Sequence, residues 1–254
     1  MLAQERHARI IAMLEKDRNV KVAYLVKLFN ISIETVRRDL EYLEKQGYLK
    51  RVYGGAVLEK VETREVNFWV RETKNSEEKI EIGQIAAKYV TEGQAIALDV
   101  STTNTEVARA IKRRIRRLTV ITNSLAIVDE LRDMPNYTIL MVGGIIKGEE
   151  RCVIGSIAEK FIESLHIDIT FASCSGISLH AGITDYGIGE IEVKKKMMEC
   201  SQQIIVVADS SKFGVVSLFH VSDLEKVSMI ITDSKIKDSI KGKYLERGIE
   251  IVNT

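Results

Sequence analysis

The sequence predicts an α/β protein in two parts: a small N-terminal helical head ending in a β-hairpin, then a larger, mostly parallel α/β domain. Three observations carry this prediction. The first 58 residues show helical apolar spacing followed by two short β-prone runs. Beyond Glu77, apolar strand-like runs alternate with amphipathic helical ones, the pattern of a parallel sheet covered on both faces. A chain of 254 residues is also longer than one typical domain.

In the head, residues 2–16 carry Ile10, Ile11 and Leu14 at helical spacing. A short extended step at 19–22 leads to a second helix over 23–29 that buries Leu25, Leu28 and Phe29. Asn30 and Ile31 form a turn, and Ser32 suits an N-cap because its hydroxyl accepts an amide that the first helical turn leaves unpaired. The third helix, 32–46, buries Val36, Leu40 and Leu43 at i, i+4, i+7, and Gly47 suits its C-cap. Two β-prone runs, 48–52 and 56–58, flank Tyr53-Gly54-Gly55. Helix, helix, turn, helix, hairpin is the order of a winged helix-turn-helix, assigned to residues 1–58.

Residues 59–76 are polar apart from the anchors Phe68 and Trp69, and read as a linker. The domain at 77–254 is predicted to hold strands at 95–98, 118–121, 137–142, 167–172, 204–208, 227–231 and 249–252. Helices are predicted over 79–90, 105–114, 154–165 and 191–200.

Charge is unevenly placed. Residues 1–58 hold eleven Lys or Arg against seven Asp or Glu, so the head carries about +4 and the remainder about −3 within a net charge of +1. A basic head suits a polyanion. On the third helix Glu34, Thr35, Arg37, Arg38 and Glu41 point outward, and paired arginines beside a hydroxyl suit guanine edges and phosphates. Arg51, Tyr53 and the Gly54-Gly55 turn let the wing approach a backbone or minor groove. A solvated arginine pair on a small helical domain is the bland alternative. Cap, turn, apolar triad, basic face and wing in this order favour a reader of double-stranded DNA.

In open α/β sheets ligands bind beyond the carboxyl ends of the strands. Here those ends are polar or glycine-bearing: Asp99 to Asn104, including Ser101, Thr102 and Thr103; Thr122-Asn123-Ser124; Gly143-Gly144; Ser175-Gly176; and Asp209 to Gly214, including Lys212. Hydroxyls, helix-start amides and a lysine make a phosphate cradle, and Asp99 suits sugar hydroxyls. Each such residue is also an ordinary cap or turn former, and the convergence of five ends favours a site. Asp185, Glu190 and Lys194 fall within ten residues, with Glu190 and Lys194 spaced as a surface ion pair or as further ligands.

No apolar run approaches the roughly 20 residues of a membrane span, and the charged start MLAQERHARI does not read as a signal peptide. Cys152, Cys174 and Cys200 are odd in number and lack CxxC pairing, so reduced thiols in a cytoplasmic protein are expected, with no metal and no cofactor.

The segment ISIETVRRDLEYLEKQGYLKRVYGGAV closely resembles the DeoR family of bacterial sugar-responsive transcriptional regulators, whose signature is a Ser-x-x-Thr-[Val/Ile]-Arg-Arg-Asp-Leu core before a Gly-Gly-Ala wing. The resemblance continues through the TTNTEVA, LTVITNSL, MVGG, GITD and VADSSKFG blocks. It implies that Thr35, Arg37 and Arg38 contact an operator while Asp39 orients an arginine. It also implies a second domain similar in fold to sugar-phosphate isomerases of the ribose-5-phosphate isomerase type. That domain would bind a phosphorylated sugar through Thr102, Thr103, Asn123, Ser124 and Lys212, with Asp99, Asp185 and Lys194 close by. Three departures stand out: Tyr53 where the family more often has His, Ser101 in place of a loop glycine, and FASCSG where the family has Phe-x-Gly-x-x-Gly.

The leading expectation is therefore a repressor of a carbohydrate-utilisation operon, acting as a homo-oligomer, dimer or tetramer, associated through its second domains. The alternative is a sugar-phosphate isomerase with an accessory head, using Asp99, Asp185 and Lys194 as acid and base. A sheet domain that has lost its ligand and only oligomerises is a third reading.

Overall fold

The computed structural model describes residues 3–17, 19–45, 49–57 and 68–254. The chain forms two compact units, Met1–Arg64 and Glu65–Thr254.

In the first unit, helices α1 (Ala3–Asp17), α2 (Val22–Phe29) and α3 (Ile33–Lys45) accompany strands β1 (Asn19–Lys21), β2 (Lys50–Val52) and β3 (Gly55–Val57). The strands pair antiparallel in the order β1-β3-β2, so the extended step before α2 becomes part of the wing sheet. Ile10, Leu14, Leu25, Phe29, Val36, Leu40, Leu43 and Leu49 form the core. Leu28 does not join it: the side chain is 45% exposed, because the core face of α2 runs through Leu25 and Phe29, four residues apart. Asn30 takes a left-handed conformation (φ 51°) and donates its amide to Val26 O, ending α2. Gly54 (φ +81°) turns the hairpin. Gly47, Tyr48 and Leu58 lie outside the described residues, as do Glu59 to Asn67 of the expected linker.

In the second unit, α4 (Phe68–Thr73) and α5 (Ser76–Ala86) precede β4 (Ala95–Leu98), α6 (Thr102–Arg114), β5 (Leu118–Thr122), α7 (Leu125–Leu131) and β6 (Tyr137–Met141). The hairpin β7 (Ile145–Lys147) and β8 (Cys152–Ile154) leads to α8 (Ser156–Glu163) and β9 (Ile167–Ser173). Then come β10 (Gly176–Ser178), β11 (Gly182–Asp185), α9 (Glu190–Glu199), β12 (Ser201–Val207), β13 (Phe219–Ser222), β14 (Met229–Ile231), α10 (Asp238–Leu245) and β15 (Ile251–Val252).

Seven strands make one wholly parallel sheet in the order β15-β14-β12-β9-β4-β5-β6. Alternate residues along the strands serve opposite faces, as a period of two requires. Ile96, Leu98, Phe171, Ile205 and Val207 pack under α5, α6 and α7. Ala97 and Ile121 meet α8 and α9, while Ala172, Val206 and Ile230 pack with Ile191 and Met198 of α9 and with Tyr244 of α10. From β4 the chain builds outward through β5 and β6, and from β9 it builds the other way through β12, β14 and β15. The direction reverses between β4 and β9, and the carboxyl ends of those two strands mark the crevice where such sheets take ligands.

The span expected as linker holds α4. Phe68 is fully buried against Val100, Ala126 and Cys152, whereas Trp69 is 55% exposed with the Arg151 guanidinium 5.1 Å from its ring centroid. The two small antiparallel sheets, β7-β8 and β10-β11-β13, went unread in the sequence because strands of three or four residues give no usable alternation.

Candidate functional site

On α3 the buried face runs through Val36, Asp39, Leu40 and Leu43, leaving Glu34, Arg37 and Arg38 exposed. Ser32 caps the helix as its sequence position predicts: its Oγ accepts the Thr35 amide at 3.1 Å and lies 2.9 Å from the Thr35 hydroxyl. Arg37 lies 3.8 Å from Glu34, both well exposed, an arrangement that holds neither side chain firmly. Arg51 on the wing is tied to Glu44 by its amide at 2.8 Å and its Nε at 2.6 Å. Tyr53 at the hairpin tip is fully exposed.

Asp39 turns inward and accepts from Arg6 Nε at 2.8 Å, Arg6 Nη2 at 3.0 Å and His7 Nε2 at 2.9 Å, locking α3 to α1. Burial alone would raise its carboxyl, but these partners outweigh it and hold the group below the ordinary carboxylate range. The arginine it orients is therefore Arg6, not either member of the exposed pair.

In the second unit a cleft lined mainly by polar side chains opens at the β4/β9 reversal point. Thr102, Thr103, Asp185, Lys194 and Lys212 line it, together with Ser101, Ser173, Cys174, Ser175, Glu190 and Asp209. Val100 after β4, with Arg71, Lys74, Asn75 and Lys79 from α4, α5 and the turn between them, completes the lining. Ser101 Oγ accepts the Asn104 amide at 2.9 Å, and Ser101 O accepts that of Thr105 at 3.1 Å. The first amides of α6, those of Thr102 and Thr103, are left without an acceptor inside the helix.

The floor of the cleft is an ion cluster. Lys194, 3% exposed, stands 2.9 Å from Asp99, bonds Asp185, and donates to Ser173 O at 2.6 Å. Asp99 also accepts from Asn104 Nδ2 at 2.5 Å, the Ser173 amide at 2.9 Å and Ser173 Oγ at 2.7 Å. Asp185 accepts from Ser175 Oγ at 2.7 Å and the Tyr186 amide at 2.9 Å. Burial would lower the Lys194 ammonium, but Asp185 and Asp99 outweigh it and hold the lysine charged far above its usual range. Burial likewise opposes ionisation of Asp185, and Lys194 with these hydrogen bonds holds it ionised. Both groups are thus held in their charged forms at the floor of the cleft. Burial pushes the Cys174 thiol up to about 12, so it stays protonated and inert.

Glu190 and Lys194 do not pair with each other. Glu190 bonds Lys147 at 2.7 Å, and Lys194 turns to the floor. Lys79 was read only as the start of a helix. It is 6% exposed and donates to Lys74 O at 2.5 Å and to Arg71 O. Burial pushes its ammonium down to about 8, against the nearby Asp209. Arg71 pairs with Glu150, and Asn75 Nδ2 donates to Asp209 at 3.1 Å.

Five expected ligands lie outside the lining. Asp99 sits behind Lys194. Asn123 is fully buried and spends its side chain on the Val100 amide at 2.9 Å and Val153 O at 3.2 Å. Ser124 caps α7. A Cβ on Gly144 would stand 2.5 Å from Ile154 O, and one on Gly176 would stand 2.5 Å from Val215 O, so both serve close backbone packing. Among the described residues no His, Cys, Asp and Glu cluster could hold a metal, and no helix is long and apolar enough to cross a membrane.

Comparison with known proteins bears on both units. Residues 6–62 match the DeoR-like helix-turn-helix domain, and residues 74–234 match the DeoR C terminal sensor domain. The chain is 35% identical to the HTH-type transcriptional regulator GolR of Listeria innocua over 99% of this chain and 98% of that one. It is 32% identical to the HTH-type transcriptional repressor GlcR of Bacillus subtilis, over 100% and 97%. Identity is again 32% with the L-fucose operon activator of Haemophilus influenzae, over 95% and 96%. A ribose 5-phosphate isomerase from Methanocaldococcus jannaschii is similar over 55% of each chain, with 17% identity and a TM-score of 0.42. The winged head, the sensor unit and relatives matched over nearly their whole length establish this chain as a member of the DeoR family of transcriptional regulators.

Proposed function

We propose that the protein represses a carbohydrate-utilisation operon and is controlled by a phosphorylated sugar held in the cleft between α4, α6 and the loop after β12. The head reads double-stranded operator DNA. Thr35, Arg37 and Arg38 meet bases and phosphates in the major groove, Ser32 fixes the start of the helix, and Arg51 and Tyr53 follow the flanking backbone. Glu44 holds Arg51 by two bonds, which supports a positioned wing contact. Copies associate through their sensor units as a dimer or tetramer and present paired heads to spaced half-sites in the cytoplasm.

The observation that carries the effector is the chemistry of the cleft. Its lining offers the first amides of α6, two threonine hydroxyls and Lys212, which suit a phosphate. It also offers Asp185, Glu190 and Ser175, which suit hydroxyls. Glycine positions, Asn123 and Ser124 support the walls rather than the ligand. The relative named as a transcriptional repressor fits repression, and the one named as an L-fucose operon activator fits a sugar operon as the target. A thermal-shift screen of pentose and hexose phosphates tests it. A ligand at 100 times its dissociation constant adds about 2.7 kcal/mol to the folded state. A sugar phosphate that raises the melting temperature by several degrees, with the parent sugar inert, supports the proposal; a panel without effect overturns it.

A further inference from the structure

Five of the six residues 112–117 are basic: Lys112, Arg113, Arg114, Arg116 and Arg117. The chain beyond residue 58 carries about −3 in all, so this run is a local reversal of sign. Lys112 to Arg114 end α6, and Arg116 and Arg117 lead into β5. The run therefore lies at the amino ends of the parallel strands, opposite the cleft at their carboxyl ends. Lys112 pairs with Glu130 at 2.9 Å. The four arginines are exposed, and among the described residues none of their side chains forms a salt bridge or hydrogen bond.

The fold fixes the path of this turn. Ile115, between the two arginine pairs, is 4% exposed. Its amide donates to Ile111 O at 2.9 Å, and its carbonyl accepts from the Tyr137 hydroxyl at 3.0 Å. The Glu92 carboxylate accepts the amides of Arg116 and Arg117, each at 2.7 Å, and Arg117 O accepts the Gly93 amide at 2.8 Å. Glu92 thus binds the backbone of the turn and leaves both guanidinium groups exposed. Attraction to the negative end of α6 accounts for residues 112–114. It does not account for Arg116 and Arg117, which lie past the helix. Like charges this close repel one another, a cost that a facing polyanion offsets.

We infer that this turn is a second DNA contact, taking the phosphate backbone of duplex outside the segment covered by the head, without sequence preference. A chain with a helix-turn-helix head already has a polyanion as its partner, and guanidinium forks grip phosphate oxygens in pairs. Such backbone contacts add affinity and position the protein without reading bases. The inference makes no use of the effector cleft.

The test uses the full chain and an operator duplex obtained by in vitro selection, either trimmed to the footprint of the heads or extended by two helical turns on each side. Anisotropy titrations are run across a salt series, where each phosphate contact adds about 0.9 to the slope of log affinity against log salt. The wild type is expected to bind the extended duplex on the order of tenfold tighter at low salt, with a slope steeper by about 2–4. Arg113→Gln, Arg114→Gln, Arg116→Gln and Arg117→Gln combined should lose both differences and keep the affinity for the trimmed duplex. Lysine at the same four positions should keep most of the slope. A wild type with equal affinity and slope on the two duplexes overturns the inference, whether or not any variant folds, and leaves the reading of the cleft standing. A glutamine variant that keeps the wild-type preference overturns it as well. Equal losses on both duplexes would also refute it, placing the arginines behind the grip of the heads. So would a change in sedimentation of the DNA-free variant, which would assign the turn to contact between copies.

Discussion

Lys194→Met is the sharpest probe of the sensor unit. It keeps most of the apolar stem and removes the charge that Asp99 and Asp185 share. The three side chains are 3%, 1% and 10% exposed, so the carboxylates cannot turn to water when the lysine is gone. Breaking a buried ion pair from one side typically costs about 3–5 kcal/mol, because the surviving charge is left uncompensated. At roughly 2–4 °C per kcal/mol for a unit of this size, the melting temperature should fall by on the order of 10 °C. The pH dependence gives the second signature. In the wild type the Asp185 carboxyl is depressed, so its stabilisation is complete above the unfolded carboxylate range and fades as pH falls through the lower folded value. Without Lys194 burial dominates at Asp185 and its folded carboxyl rises, so the variant's deficit is greatest at neutral pH and shrinks as that carboxyl takes its proton. Urea denaturation at about pH 7.5 and pH 5 should show the deficit narrowing by roughly 1–3 kcal/mol. A deficit below about 1 kcal/mol at pH 7.5, or one that persists unchanged at pH 5, would refute the account of the floor cluster.

Three further outcomes are expected. Arg37→Ala or Arg38→Ala should each weaken operator binding by about 1–3 kcal/mol if it reads a base, and fluorescence anisotropy that shows full affinity in both would exclude α3 as the reading helix. Asp39→Asn removes the tie from α3 to Arg6 and His7. The wild-type contribution is complete above the unfolded carboxylate range and lost as acid reaches the lower folded value, so the variant should lose about 1–3 kcal/mol at neutral pH and flatten the acid limb of head unfolding, followed by circular dichroism. Lys212→Ala should leave operator affinity intact and blunt the thermal response to sugar phosphate; lost DNA binding would instead mark it as structural.

What could be read in the sequence follows from what periodicity encodes. The triad Val36, Leu40 and Leu43 defines one helix face whatever surrounds it, and the apolar runs at β4, β9 and β12 declare strands buried on both sides. Polar strand ends are a different matter. Asn123 and Thr102 look alike in sequence, yet one spends its amide on the backbone of Val100 while the other lines the cleft. Only the local path of the chain decides. The spacing of Glu190 and Lys194 suggested one surface pair, but Lys147 and Asp99, both distant in sequence, claim them instead. Lys79 carried no signal at all, since its burial and its bonds depend on the fold of the α4–α5 elbow.

The central claim is that occupancy of the cleft governs the grip of α3 on DNA. It is tested most directly by measuring, at fixed salt, the affinity of the full chain for an operator duplex obtained by in vitro selection. The measurement is made with and without the sugar phosphate that stabilises the protein in the thermal-shift screen. The account predicts a change in operator affinity of about fivefold or more, lost in Lys212→Ala. An operator affinity that does not move while the ligand demonstrably binds would contradict it.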